Sequence, residues 1–229
     1  MKKMILVLVC VCITAFAFAG DFEMSIGGGI IGETIFGLEG NMTVEETILG
    51  NTIKTSTKSK NKSNLNFGAF FFFDATYVVG SLAYIYGYTQ YEPTVDTYLN
   101  GSQVMGVQTT TKGSFHALEL GLLGKYPFQL GERWKIFPLL GVSYILVLSG
   151  ETRSGGDTDS WNTPSDANRL GFLGGVGADF LLTNSLFIRG EFLWGIWVPN
   201  KMERDAYKDG KVSIGNGPRL KLALGYTFR

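Results

Sequence analysis

The chain has little of three things that build sites or membrane spans in other proteins: cysteine, histidine and long apolar runs. Both cysteines, Cys10 and Cys12, lie close to the start of the chain, and His116 is the only histidine. Beyond residue 20, no apolar run reaches the roughly 18 residues that a transmembrane helix requires. The remainder of the chain therefore has no disulfide, no thiolate metal site and no helical membrane span.

The first 19 residues have the three parts of a secretory signal peptide. Lys2 and Lys3 supply a positive start, Met4 to Phe16 form a short apolar core, and Ala17-Phe18-Ala19 is a small-x-small cleavage site. We expect cleavage after Ala19, which leaves residues 20–229 as one domain.

Cleavage also fixes the charge of the mature chain. The whole chain has 20 basic and 20 acidic residues, so the loss of Lys2 and Lys3 leaves a small net negative charge that gives nucleic acid no bulk attraction. Cys10 is an alternative candidate, as the lipid-modified cysteine of a lipoprotein. Such a site prefers a leucine three residues before the cysteine and small residues between them, whereas Val7, Leu8 and Val9 precede Cys10.

Beyond Asp21 the hydrophobic period is close to two, which predicts strands. In the last segment the even-numbered residues are all large and apolar, whereas the odd-numbered ones are small or polar. The same alternation marks seven earlier segments, at about residues 22–30, 65–73, 78–89, 117–126, 134–144, 169–180 and 186–195. Eight apolar residues break it by falling on the small or polar face: Phe70, Phe72, Ile85, Leu139, Ile145, Leu173, Phe187 and Leu193.

The composition of the second face indicates a barrel. A strand face in bulk water usually has Lys, Glu, Thr and Gln, and glycine weakens it. Here that face is rich in Gly, Ala and Ser, as expected for a confined lumen with the apolar face toward lipid. Aromatic residues on the apolar face are predicted to form two girdles. One comprises Phe22, Phe73, Tyr126, Trp134, Phe180 and Phe228, and the other Tyr86, Tyr88, Tyr144, Phe172 and Trp194.

The connections between the eight segments alternate long and short. Long, polar connections follow the first, third, fifth and seventh segments. Outer-membrane barrels have short periplasmic turns and long external loops, so the alternation predicts that both termini are periplasmic. We expect Lys54 to Asn64 and Glu151 to Asn168 to be mobile, solvated loops.

Several stretches resemble the small eight-stranded outer-membrane β-barrel family, of the OmpA, OmpX and OmpW types and above all their spirochaetal members. They are the exported start, residues 66–77, residues 174–180 with 185–191, and the final Leu-Gly-Tyr-Thr-Phe-Arg. The resemblance covers nearly all of residues 21–229. It implies contact with outer-membrane lipid and with the barrel-insertion machinery through the last strand, and a monomeric state.

Seven charged residues are predicted to point into the lumen: Glu119, Arg169, Asp179, Arg189, Glu191, Arg219 and Lys221. Unpaired charges there would be costly, so we expect pairing, with the seventh strand as the hub. Two interpretations remain, a salt-bridge network that plugs the barrel or a charged eyelet on an ion path. Eight strands leave an interior only wide enough for side chains, which favours the plug.

The sequence predicts no catalytic residue, no cofactor and no metal. His116 and Ser114 share a strand face, as in barrel enzymes that modify lipids, but their Cβ atoms would be roughly 7 Å apart. We therefore expect a surface-exposed structural barrel, whose loops could bind a host or environmental partner. The alternatives are a passive route for small hydrophobic molecules, as the OmpW-type resemblance implies, lined by Phe70, Phe72, Ile85 and Leu193, or a lipid-modifying enzyme.

Overall fold

The computed structural model describes residues 23–36, 39–48, 51–162, 165–201, 204, 211–212 and 214–228. The described residues form thirteen antiparallel strands, numbered in chain order. Eight of them build the barrel: β1 (Met24–Thr34), β3 (Asn51–Ala75), β4 (Val78–Leu99), β6 (Thr111–Lys125), β8 (Trp134–Ser154), β10 (Arg169–Leu181), β11 (Leu186–Trp197) and β13 (Gly215–Phe228). The predicted eight-stranded architecture is confirmed. The predicted signal peptide and Phe22 lie outside the described residues.

The strands close into a ring because β1 pairs with β13 on one side and with β3 on the other. Paired residues can be followed once around the ring, and the path ends two residues beyond β1, ten residues further along the chain than its starting point. The path runs Ile26, Phe73, Gly80, Leu122, Val142, Phe172, Ile196, Asn216 and Phe36. With eight strands, this stagger tilts each strand by about 40° from the barrel axis.

The two faces of β13 show how the wall is oriented. Leu220, Leu222 and Leu224 are exposed to 61%, 54% and 51%, whereas Arg219 is 0% and Lys221 is 6% exposed. The apolar side chains therefore point away from the barrel and the charged ones point into it. An apolar band of this size is stable only against lipid, so the wall is that of a transmembrane barrel. The eight apolar residues that break the alternation are all buried in the lumen.

Short connections lie at one end of the barrel, which we call the turn end, and long ones at the other, the loop end. The turn end has a two-residue turn at Thr76 and Tyr77, and a short connection between Leu181 and Leu186. Among the described residues, no helix is long and apolar enough to cross a membrane.

Aromatic side chains encircle both ends. At the turn end, Trp134 packs against Phe180 at 4.8 Å and Tyr77 against Tyr126 at 5.9 Å between ring centroids, with the ring planes tilted. At the loop end, exposed rings of the predicted second girdle project outward: Tyr144, Phe172 and Trp194.

Five shorter strands lie outside the ring: β2 (Glu39–Ile48), β5 (Ser102–Gln108), β7 (Phe128–Leu130), β9 (Asp157–Asn162) and β12 (Lys211–Val212). At the loop end, β2 pairs with the upper part of β3, β5 with β4, and β9 with β8. The prediction that Lys54 to Asn64 and Glu151 to Asn168 are loops was wrong. Most of both stretches is paired strand, and the barrel wall continues beyond the membrane as β-hairpins.

Turn residues explain these hairpins. Asn100 and Gly101 have φ of 48° and 87°, and Gly155 and Gly156 have φ of 61° and 102°. Two successive positive φ values match the twist of an antiparallel pair, and Asn-Gly and Gly-Gly are the sequences that adopt them. Polar composition indicated a loop, but these turns together with Thr-rich flanks direct strand pairing.

Candidate functional site

The lumen contains charged side chains in two clusters and a separate pair. Near the turn end, Arg189 on β11 is held by Asp179 on β10 and by Asp74 on β3. Its Nε donates to Asp179 Oδ1 at 2.6 Å, and its Nη2 donates to Asp179 Oδ2 at 2.7 Å and to Asp74 Oδ2 at 2.5 Å. Lys125 Nζ also donates to Asp74 Oδ2, at 2.5 Å. We call these four residues the turn-end cluster.

Aromatic rings enclose the Arg189 guanidinium. Its central carbon lies 4.7 Å from the ring centroid of Phe72, 5.0 Å from that of Phe137 and 5.1 Å from that of Phe187. The faces of these rings are electronegative and attract the cation, an attraction that is stronger where water is excluded. Two of the apolar residues that break the strand alternation, Phe72 and Phe187, therefore pack against this charge.

Near the loop end, Arg219 on β13 is the centre of a second group, the loop-end cluster of Arg219, Glu119, Glu33 and Asn66. Arg219 Nη1 and Nη2 donate to the two oxygens of Glu119 at 2.5 and 2.9 Å, and Nε donates to Glu33 Oε1 at 3.1 Å. Asn66 Nδ2 donates to the other Glu33 oxygen at 2.9 Å. Trp197 lies 5.0 Å from the guanidinium. Bidentate geometry makes the Arg219–Glu119 contact the strongest in this cluster.

Lys221 and Glu191 form a looser pair. Lys221 Nζ lies 3.7 Å from Glu191 Oε2, beyond hydrogen-bond distance, and 4.9 Å from the ring centroid of Phe70. Glu191 Oε2 has no hydrogen-bond partner.

The structure brings six of the seven predicted interior charges into these contacts, while Arg169 lies half-buried at the loop end of β10. The predicted hub on β11 supplies Arg189 and Glu191, but they pair with different neighbours, and Arg219 on β13 is an equal centre. Sequence reasoning missed Glu33, Asp74 and Lys125. The signal was present, because Glu33 and Asp74 continue the inward-facing parity of their strands beyond the limits assigned to the segments, and Lys125 has that parity within its segment.

Glycines make room for the large rings in the lumen. A Cβ added at Gly27 would lie 2.5 Å from the Phe72 ring. The ring of Phe187 occupies the corresponding space at Gly225, that of Phe137 at Gly177, and that of Trp197 at Gly171, with distances of 2.2, 2.2 and 2.0 Å. Large and small residues thus alternate across facing strands and fill the barrel.

His116 lies on the outer face of β6, away from these clusters. Its Nδ1 is 2.6 Å from the Tyr84 hydroxyl, and its ring contacts Tyr86 with a centroid distance of 5.2 Å. Ser114 is two residues along the strand and pairs with Glu151 of β8. In the part of the chain that the structure describes, no group of three or more His, Cys, Asp or Glu side chains is placed to hold a metal ion.

No family model and no curated protein matches the chain. Solved structures match in fold. Ail of Yersinia pestis, in complex with the heparin analogue sucrose octasulfate, is 12% identical, with coverage of 91% of this chain and 99% of that chain and a TM-score of 0.39. OprG, an outer membrane protein from Pseudomonas aeruginosa, is 16% identical, with 90% and 96% covered and a TM-score of 0.39. The outer membrane protease OmpT from Escherichia coli is 11% identical, with 92% and 98% covered and a TM-score of 0.37.

At these identities and TM-scores the similarity does not extend to an activity or a ligand. The resemblance to the OmpA, OmpX and OmpW types and to spirochaetal proteins stays a prediction. The fold follows from the ring of strand pairing, the filled lumen and the apolar exterior. The chain is an eight-stranded antiparallel transmembrane β-barrel.

Proposed function

We propose that the protein lies in the bacterial outer membrane with the turn end in the periplasm, and that it is a plugged barrel which binds an extended polypeptide segment outside the cell. Among the described strands, β5 has a free edge, and this edge is the observation that carries the binding role. All seven residues of β5 are exposed, and β5 ends the sheet next to β4. An unpaired edge offers backbone N–H and C=O groups to another strand.

The composition of β5 favours strand addition. Natural edge strands are protected by charge or proline, but residues 102–108 contain neither, and Val104, Met105 and Val107 are exposed to 59%, 57% and 44%. The strands that end or flank the sheet elsewhere at the loop end do carry charge, such as Lys211 on β12 and Asp157 on β9.

An apolar face lies next to this edge. The register aligns Val44, Thr55, Thr97 and Met105 in one row across β2, β3, β4 and β5, and Met42, Thr57, Val95 and Val107 in the next row on the same face. The intervening row, on the opposite face, is Thr43, Ser56, Asp96 and Gly106. A strand added at β5 would therefore gain apolar side-chain contacts on one face as well as backbone hydrogen bonds.

A peptide selection tests the binding role. Twelve-residue peptides displayed on phage would be selected on the folded barrel, and binding would then be mapped by amide hydrogen exchange. We expect the selected peptides to protect β5 amides and to lose affinity for Val107→Lys, while Thr43→Lys on the opposite face serves as the control. Protection confined to other strands, or equal affinity for both variants, would refute the proposal.

Packing of the lumen favours a plug over a route for hydrophobic molecules. Phe70, Phe72, Ile85 and Leu193 were the candidates to line such a route, but Phe70 packs on Lys221 and Phe72 on Arg189. We expect no steady conductance in planar bilayers. A stable open level in the unmodified protein would contradict the plug.

Cysteine labelling tests the orientation. Single cysteines at Ser56, Ser102 and Ser160 should react with an impermeant maleimide on intact cells, whereas one at Asn184 should react only after the outer membrane is opened. The reverse pattern would place the turn end outside.

A further inference from the structure

Two cations face each other on the outer surface of the barrel wall, beyond the aromatic girdle of the loop end. Lys112 on β6 is the direct cross-strand partner of Arg153 on β8. Lys112 is exposed, and the Arg153 side chain is 63% exposed. Like charges directly opposite on adjacent strands repel each other and destabilise the pair. This arrangement is unfavourable unless an anion lies between or above the two side chains.

Neighbouring groups leave the positive charge only partly balanced. Arg153 Nη2 contacts Glu151 Oε1 at 3.0 Å, so this carboxylate balances one of the two cations. The other neighbours in the same row, Gln90 on β4 and Thr158 on β9, are uncharged. Within the described part of the chain, Lys112 has no carboxylate in salt-bridge contact.

Other lysines on the same wall are placed differently. Lys54 is the cross-strand partner of Glu45, and Lys60 is the partner of Glu39 on one side and Glu92 on the other. At these two positions a lysine has an acidic register partner, which the Lys112–Arg153 row lacks. A general excess of surface lysine does not explain it.

The height of the pair relative to the membrane indicates the kind of anion. His116 lies on the same face of β6, with Tyr84 and Tyr86 around it at the level of the girdle. Lys112 is four residues further along the strand, a distance of about 13 Å along β6, and about 10 Å along the membrane normal after the tilt. Each headgroup layer is about 5 to 7.5 Å thick, so the backbone of the pair lies just beyond it and the two long side chains can extend back into it. Lysine and arginine side chains reach such a layer while their stems stay on the apolar wall.

We propose that Lys112 and Arg153 together bind the phosphate of a lipid headgroup in the outer leaflet. This site rests on the proposed membrane orientation but not on the β5 binding role. A phosphate placed between the ammonium and the guanidinium would accept hydrogen bonds from both and remove their mutual repulsion. The Arg153 fork can engage two phosphate oxygens, and Lys112 acts as a point charge beside them.

Native mass spectrometry of the folded barrel in nonionic detergent tests the site. The probe is a diphosphorylated glycolipid, and the same glycolipid without phosphate is the comparison. We expect the unmodified protein to retain one phosphorylated molecule. The double variant Lys112→Gln with Arg153→Gln should lower its affinity by roughly tenfold, because each cation near an anionic surface contributes several-fold.

The double variant Lys54→Gln with Lys60→Gln is the matched control, since it removes the same charge from the same wall at two positions whose register partners are glutamates. We expect its lipid affinity to remain unchanged. Equal losses in the two double variants, or equal retention of the phosphate-free glycolipid, would overturn the site. Displacement of the lipid by millimolar inorganic phosphate would assign the site to free phosphate and overturn the lipid assignment. Heat-modified migration on a gel verifies that each variant is folded. If the selected peptides fail to bind β5, the outcomes of this lipid experiment are unaffected.

Discussion

Replacement of Glu119 by alanine should destabilise the barrel far more than replacement of Glu191, although both carboxylates are almost fully buried, with 2% and 4% exposure. Glu119 accepts two hydrogen bonds from Arg219, at 2.5 and 2.9 Å. Glu191 Oε2 lies 3.7 Å from Lys221 Nζ and accepts no hydrogen bond from any described residue. The two residues thus have the same chemistry and burial but differ in the contacts that are lost.

The magnitude follows from those contacts. Removal of one partner from a buried, hydrogen-bonded ion pair costs about 3 to 5 kcal/mol, because the other charge is left without compensation. Glu33 still contacts Arg219, so we expect Glu119→Ala to lower the free energy of unfolding by about 3 kcal/mol. A pair without a hydrogen bond recovers less of its desolvation cost, so Glu191→Ala should cost about 1 kcal/mol.

Urea unfolding of the refolded barrel in lipid vesicles, followed by tryptophan fluorescence, measures both changes. Glu119→Gln is the control for volume and should recover part of the loss, since its amide oxygen still accepts one hydrogen bond. Equal losses for Glu119→Ala and Glu191→Ala, or losses below about 1 kcal/mol for both, would indicate a lumen in which water screens the charges. That result would refute the plug and favour the charged eyelet.

Three further predictions concern the wall and its surface. Leu222→Arg, at an exposed apolar position, should cost about 2 to 4 kcal/mol in bilayer stability, and Ala223→Ser on the inner face much less; equal costs in a urea titration would contradict the assigned faces. Gly225→Ala should lower the free energy of unfolding by about 1 to 3 kcal/mol through overpacking, and Phe187→Leu in that background should restore part of the loss. No recovery would mean that the Phe187 ring does not occupy the space beside Gly225. His116→Ala should leave the acyl pattern of the outer-membrane lipids unchanged in a mass spectrum of lipid extracts, and an altered pattern would support the lipid-modifying alternative.

The alternation of residues along each strand was sufficient to predict which side chains form the outer wall of the barrel. Side chains alternate on a strand whatever its partner, so the run from Leu220 to Phe228 identifies which residues face lipid without knowledge of any neighbour. The glycine-rich inner face and the alternating connection lengths then indicate a closed ring of eight strands. The same parity, followed a few residues further, would have found Glu33 and Asp74.

Pairing in the lumen depended on the tertiary structure. Glu119 and Arg219 are 100 residues apart in the chain, and the ten-residue stagger of the closed ring determines which inward side chains reach the same height. No local pattern contains that stagger. For the same reason the sequence could not assign Phe187 to the space above Gly225, or place Lys112 opposite Arg153. Alternation determines which side of a strand a residue faces, whereas register and closure of the ring determine what it meets there.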